Sequence, residues 1–115
     1  LVTQARLEPN VNVHGTAFAG SLYAIQALTG WGMMHLQTRI LAINASILIA
    51  HGDIDYAAPV KQDITAVCEF SNLEEEVQDL IEKQKARFNL TCSVMTDNST
   101  ASVFNGVYAV KNLGQ

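Results

Sequence analysis

The sequence predicts an α+β domain: an antiparallel sheet wrapped around one long central helix, with a short second helix beside it. Three observations carry that prediction. A segment from residue 20 to about 36 repeats apolar residues at helical spacing, whereas the segments near 2–8, 46–57, 63–70, 88–94 and 100–111 alternate with a period of two. The linking stretches are short and hold Pro, Asn, Asp and Ser, the residues that turn a chain. The resulting order is strand, long helix, two strands, short helix, two strands. It lacks the regular βαβ alternation of a parallel sheet, so the strands are expected to be antiparallel.

The first strand is expected over residues 2–8, ending at Pro9-Asn10. The long helix follows with Leu22, Ile25, Leu28, Trp31 or Gly32, and Met34 or His35 as its apolar stripe, and Gly30 and Gly32 suggest that the sheet approaches it backbone to backbone there. In the strand at 46–57, Leu48, Ala50, Gly52, Ile54 and Tyr56 are placed on one face, and Ile47, Ile49, His51, Asp53 and Asp55 on the other. A turn at 57–61 leads to the strand in which Ile64, Ala66, Cys68 and Phe70 share a face, and these two strands are expected to form a hairpin. Ser71-Asn-Leu-Glu74 has the spacing of a capping box for the second helix, whose apolar stripe is Leu73, Val77, Leu80 and Ile81, with Asp79 and Lys83 at i,i+4. The last two strands join through 96–100.

The chain has 115 residues, 49% of them hydrophobic, enough for a single domain over residues 1–115 that buries roughly two thirds of its unfolded surface. Its net charge of −4 excludes nucleic acid as the main partner, because phosphate backbones select a basic face. Gln37, Arg39 and Asn44 interrupt the longest apolar run, so no membrane helix is expected. Cys68 and Cys92 sit among apolar strand residues without a CxxC pair and are read as reduced core thiols. The chain opens without a signal-like segment, which gives a cytoplasmic expectation, and without an initiator Met, which leaves open that it is part of a longer protein.

The most informative stretch is Asn12-Val-His-Gly-Thr-Ala-Phe-Ala-Gly-Ser21, a glycine-punctuated loop running straight into the long helix. The first N–H groups of a helix have no intrahelical acceptor and carry the positive end of its dipole, so they can polarise a carbonyl. Read alone, Gly15 and Gly20 equally serve a tight turn and close packing. His51, Asp53 and Asp55 form a second polar cluster, which equally reads as a solvated strand patch. His14 reads as a loop histidine and His35 as one facing solvent or the helix C-terminal dipole. Three scattered histidines without HExxH spacing or a cysteine cluster give no metal site, and Ser21 stands in no GxSxG elbow, so it is read as a helix cap. The apolar residues Ile47, Ile49, Val67, Val103, Val107 and Ala109, away from the helix, suggest a homodimer or a dimer of dimers.

The motif Asn12-x-x-Gly-Thr-x-Phe-x-Gly-Ser21-Leu-Tyr, the Gly30-Trp31 pair, Tyr56-x-x-Pro59-Val60 and the closing Asn105-Gly-Val-Tyr108-Ala-Val110 resemble, in this order, a hotdog-fold thioesterase domain. More narrowly, they resemble the thioesterase-like domain at the C-terminus of some bacterial GNAT-type acetyltransferases; nothing here resembles the acetyl-CoA-binding part of such enzymes. The resemblance implies a hotdog fold and hydrolysis of an acyl thioester, from acyl-CoA or an acyl carrier protein, at a dimer-interface site. Coenzyme A or phosphopantetheine would enter only as part of the substrate, with no separate cofactor. It further implies that the Gly20 N–H, with Ala19, polarises the carbonyl and that Asn12 holds the water or the oxygen. Asp53 or His51 from the other subunit would be the base, while Gly15, Thr16, Phe18, Ala19 and Ser21 line the substrate.

Two departures stand out. Phe18-Ala19-Gly20 replaces the common His-Gly-Gly, and Ala27, beside Gln26, replaces the helix-borne acid. Two other readings therefore stay open: a non-catalytic acyl-CoA or acyl-carrier binding module serving an acyltransferase, and a hotdog dehydratase or hydratase using the His51/Asp53 pair. Lys61, Lys83, Lys85, Arg87 and Lys111 are candidates for contacts to the phosphates of coenzyme A.

Overall fold

The computed structural model describes residues 1–12, 15–17, 19–97 and 99–114. Five strands form one antiparallel sheet: β1 (Val2–Ala5), β2 (Ala45–Tyr56), β3 (Ile64–Cys68), β4 (Lys85–Thr96) and β5 (Ser99–Asn112), in the order β1-β3-β4-β5-β2. The long helix α1 (Ala19–Ile40) touches all five strands, and the short α2 (Glu74–Lys83) packs on β4 and β5. A single 3₁₀ turn, Glu8–Asn10 with Pro9 at its start, follows β1, which is shorter than the sequence suggested.

The side of the sheet against α1 holds the core. Phe88, Leu90, Cys92, Phe104, Tyr108 and Val110 meet Ala27, Met33 and Met34 of the helix, while Ile64, Ala66, Val94 and Ala101 meet Leu22. Cys68 and Cys92 face each other across β3 and β4 as free buried thiols. Their contact lowers the Cys68 pKa, and that contact together with burial holds the Cys92 thiol well above the ordinary range.

Helix α1 keeps Leu22 and Met34 of the stripe its apolar spacing suggested but turns Leu28 and Trp31 outward. Leu22, Gln26, Thr29, Gly30, Met33 and Met34 are inside, whereas Leu28 is 60% exposed and Trp31 lies at the surface, its indole N–H donating to the Ile47 carbonyl. The helix is apolar nearly all round, so periodicity could not choose its inner face; the small residues did, because they let the sheet come close. A Cβ at Gly30 would meet the Tyr108 hydroxyl oxygen at 2.1 Å. The close approach expected there is therefore of helix backbone to an aromatic side chain, not of backbone to backbone. His35 stacks on Trp31 with ring centroids 5.1 Å apart. The helix runs on to Ile40 and ends without glycine: Ala42 adopts a left-handed φ of 57° while the Ile43 N–H reaches back to the Thr38 carbonyl at 2.8 Å.

Three further expectations change. β2 and β3 do not form a hairpin: β2 pairs with β5 at one edge, and β3 lies between β1 and β4. The Ala57 and Ala58 N–H groups bond the Ala101 carbonyl, which leads the chain over the start of β5 and across the helix end instead of into a tight turn. The capping box does not form either. Asn72 takes a left-handed φ of 58°, α2 starts from Leu73 with no side-chain cap, and Glu74, Glu75 and Glu76 complement the helix dipole instead. Asp79 and Lys83 do pair, at 3.4 Å.

The third change bears on function. The β2–β5 register slips between Ile49 and His51, leaving Ala50 unpaired in a bulge. An extra residue inverts the side-chain alternation beyond it. Ile47 packs on the core before the bulge and Ile54 after it, while a Cβ at Gly52 would meet Tyr23 and Phe104. Leu48 thus joins His51, Asp53 and Asp55 on the outer face, and Ile47 leaves it.

Candidate active site

The loop before α1 is built around Asn12. Its backbone N–H donates to the Thr16 carbonyl at 2.8 Å, and its side-chain oxygen accepts from the Thr16 N–H at 3.2 Å and the Thr16 hydroxyl at 3.1 Å. Gly15 turns the loop with φ 74° and donates to the Asn12 carbonyl. An Asn at one end and a Thr four residues on thus clip the loop shut, with Thr16 itself buried. Ala17 then bridges to Val11 and donates to the Val60 carbonyl at 2.7 Å, fixing where α1 begins.

A cleft of about 290 Å³ lies at this helix start, lined by Asn12, Ala17, Ala19, Leu22, Tyr56 and the segment 57–60. Ala19 and Gly20 are exposed, and Ser21 is half-buried within the first turn instead of capping it. By helix geometry the first N–H groups, Gly20 among them, have no acceptor inside the helix. Val13, His14 and Phe18 lie outside the described residues, so the readings of His14 and Phe18 do too.

Tyr56 is the side chain that composition and motif spacing underrated. It stands on the helix side of β2, where its hydroxyl donates to the Ala19 carbonyl at 2.9 Å. That carbonyl and the Gly20 N–H belong to one planar trans peptide unit and point in opposite directions. Holding the carbonyl therefore aims the N–H back along the helix axis, out past its first residue. Partial burial, with Tyr23 nearby, raises the Tyr56 pKa, so its hydroxyl keeps its proton and stays a donor near neutral pH. The alternation already put Tyr56 on the face of Ile54, toward the helix; the bond from its hydroxyl to the Ala19 carbonyl is what the sequence did not disclose.

The helix itself offers no acid. Ala27 is buried and its carbonyl accepts from the Tyr108 hydroxyl at 2.7 Å. The Gln26 amide is fully committed: it donates to the Cys92 carbonyl at 2.8 Å and the Ser102 carbonyl at 3.3 Å, and accepts from the Ser102 hydroxyl at 2.9 Å. His51 and Asp53 are exposed on the outer face of β2, opposite Val107 and Asn105 of β5. The structure thus brings Asn12, Gly15, Thr16, Ala19, Gly20 and Ser21 together, and places His51 and Asp53 across the sheet from them. Among the described residues no His, Cys, Asp and Glu group could hold a metal ion, and no helix is long and apolar enough to cross a membrane.

A family profile described as "Putative thioesterase (yiiD_Cterm)" matches residues 1–112. A crystal structure of a Shewanella oneidensis protein, described as a putative thioesterase, is 34% identical with TM-score 0.83, over 95% of this chain and 74% of that one. A Chlorobaculum tepidum TLS protein of unknown function is 32% identical with TM-score 0.92, over 97% of this chain and 76% of the other. A Bacillus halodurans protein solved with CoA shares the fold at 19% identity and TM-score 0.65, over 95% of this chain and 66% of the other. The architecture they share is the hotdog: one long helix held by an antiparallel sheet.

Proposed function

Because the chain belongs to the family described as "Putative thioesterase (yiiD_Cterm)", we propose that it hydrolyses an acyl thioester at the start of α1. The observation that carries this reading is the Tyr56 hydroxyl on the Ala19 carbonyl, at 2.9 Å beside a cleft, because it presents the Gly20 N–H outward in a fixed direction. Attack of water on a thioester builds negative charge on the carbonyl oxygen, and a preoriented donor at a helix start stabilises that charge without reorganisation.

In this reading the acyl carbonyl lies on the Gly20 N–H, with Ala19 beside it, and the Asn12 side chain, clipped by Thr16, holds the attacking water. Gly15, Thr16 and Ser21 shape the approach. The water oxygen bonds the acyl carbon, the carbon–sulfur bond breaks, and the thiolate leaves with the proton that the base took from water. The resemblance assigns the base to Asp53 or His51 of a second copy; both stand on the outer face of β2, so they reach the cleft only around the end of the sheet. The exposed edge of β2 is the natural place for a second copy to pair. A CoA-bound protein of the same fold supports acyl-CoA as substrate. Thiol release from acyl-CoA, lost in Asn12→Ala and Asp53→Ala, is the test.

One observation favours a second reading. No carboxylate or imidazole lines the cleft among the described residues, and Ala27 sits where a helix-borne acid would. A module that binds the acyl thioester without cleaving it has no need of either. Saturable binding of acyl-CoA without thiol release would select this reading over hydrolysis.

A further inference from the structure

On the outer face of the sheet, at the end remote from the start of α1, Ser46, Leu48, Lys85, Arg87, Ala109 and Lys111 line a groove of about 440 Å³. It holds three of the chain's seven Lys and Arg residues, in a protein of net charge −4, and no Asp or Glu lines it. Lys85 and Lys111 are direct cross-strand partners of β4 and β5, both exposed on the same face. Like charges placed directly opposite destabilise a sheet, and no carboxylate among the described residues forms a salt bridge with either, or with Arg87. Beside the three cations lies Leu48, 66% exposed, which the Ala50 bulge turned onto this face, with Ala109 next to it.

We infer that this groove binds the phosphorylated nucleotide end of a coenzyme A thioester. The spacing favours a small ligand. Two residues along a strand span about 6.6 Å and neighbouring strands lie about 4.8 Å apart, so the cations occupy one compact patch. A phosphate, which an Arg fork and two ammonium groups can surround, fits such a patch. The acidic helix of a carrier protein needs cations spread along its length. The volume lies in the range of small-molecule sites, and the exposed apolar surface of Leu48 and Ala109 offers a seat for a flat base. The cationic pair is kept at the expense of sheet stability, as binding groups often are.

Ser46 and Tyr56 stand at opposite ends of β2, about 33 Å apart along the strand, so one chain's groove does not serve its own helix start. Antiparallel pairing of two copies along the β2 edge sets the groove of one at the same end of the assembly as the α1 start of the other. A flexible carrier arm then joins them around the end of the sheet.

The identity of the cargo rests on the thioesterase reading; the phosphate binding does not, and the test keeps them apart. Adenosine 3′,5′-bisphosphate and inorganic phosphate are titrated at low salt into the ¹⁵N-labelled protein and its Lys111→Glu variant. The bisphosphate should shift the amides of Lys85, Arg87, Ala109 and Lys111 saturably and more tightly than phosphate. Lys111→Glu should weaken it at least tenfold. The same substitution should raise the melting temperature, because it replaces the like pair with an opposite one. The variant's KM for acyl-CoA should rise, while its KM for the same acyl group on pantetheine alone should not. Absence of these shifts, binding indifferent to the charge reversal, phosphate as tight as the nucleotide, or an acidic carrier protein shifting these amides where the bisphosphate does not, overturns the inference. If the nucleotide binds as expected but the protein releases no thiol, the hydrolysis reading falls and the groove stands.

Discussion

The start of α1 and its middle use polar groups in opposite ways. In the middle, Gln26, Thr29 and the Tyr108 hydroxyl are buried and every bond they make is internal: Gln26 to Cys92 and Ser102, Thr29 to the Ile25 carbonyl, Tyr108 to the Ala27 carbonyl. At the start, one tyrosine holds one carbonyl and the donors beyond it open on a cleft. A polar group satisfied inside the protein orders the core; one held in place but left outward can act on something else. The difference matters because the position where related enzymes are expected to carry a helix acid falls in the satisfied region.

The sharpest way to break this comparison is to remove the outward donor without removing the helix. Gly20→Pro deletes one N–H within the first turn, where proline is tolerated. Turnover should fall about 10²–10³-fold, the usual cost of one lost oxyanion donor, with helical content unchanged by circular dichroism. Unchanged turnover in the folded variant would mean that the helix start takes no part in the chemistry.

The converse experiment strikes the middle. Gly30→Ala drives a methyl group into the rigid Tyr108 ring, whose hydroxyl oxygen would be 2.1 Å away. Overpacking of this kind costs about 1–3 kcal/mol, and each kcal/mol lowers the melting temperature of a domain near this size by roughly 4–8 °C. Gln26→Leu should cost a similar or slightly smaller amount, about 1–3 kcal/mol, because it takes a buried partner from the Ser102 hydroxyl and one hydrogen bond from each of two strand carbonyls. Both variants should keep turnover per folded molecule. Catalytic loss in Gln26→Leu without loss of stability would dissolve the distinction between the two regions.

Tyr56→Phe sharpens the comparison further. Tyr56 is half exposed, so its hydrogen bond should contribute at most about 1 kcal/mol to stability. Losing it frees the Ala19 peptide, and kcat should drop roughly tenfold with little change in KM, as for an interaction that matters only in the transition state. The gentlest test uses pH. Burial raises the Tyr108 pKa above its ordinary 10.0. Above that value the unfolded chain sheds a proton that the folded chain keeps, so stability should decline as pH rises through and beyond 10.0. Urea unfolding across this range should show the decline, and Tyr108→Phe should reduce it, leaving the share that belongs to the Cys92 thiol, whose pKa is raised as well. The raised pKa of Tyr56 adds to the decline that survives in Tyr108→Phe.

The fold was legible because its signals are local and mutually consistent: a long apolar helix segment, alternating strands and turn residues between them. The loop around Asn12 was legible for the same reason, since Gly15 and Thr16 act within four residues of it. What could not be read depends on events at a distance. A bulge at Ala50 is one unpaired residue with no compositional mark, yet it turns Leu48 to the outer face and Ile47 to the core, while His51, Asp53 and Tyr56 keep the faces their alternation predicted. The inner stripe of α1 was hidden because apolar residues surround it. Its buried face was set by Gly30 and by the committed Gln26 amide, whose partners come from strands more than sixty residues away. Pairing of β2 with β5 instead of β3 is likewise a long-range choice, made where the chain leaves β2 over Ala101.

The central claim is that the outward amides at the start of α1 cleave a thioester. Steady-state release of free thiol from acyl-CoA, followed for the wild-type protein and Gly20→Pro side by side, tests it most directly. The account predicts saturable turnover in the first and its loss by about 10²–10³-fold in the second. Acyl-CoA that binds both proteins but yields no thiol above the buffer rate would contradict it.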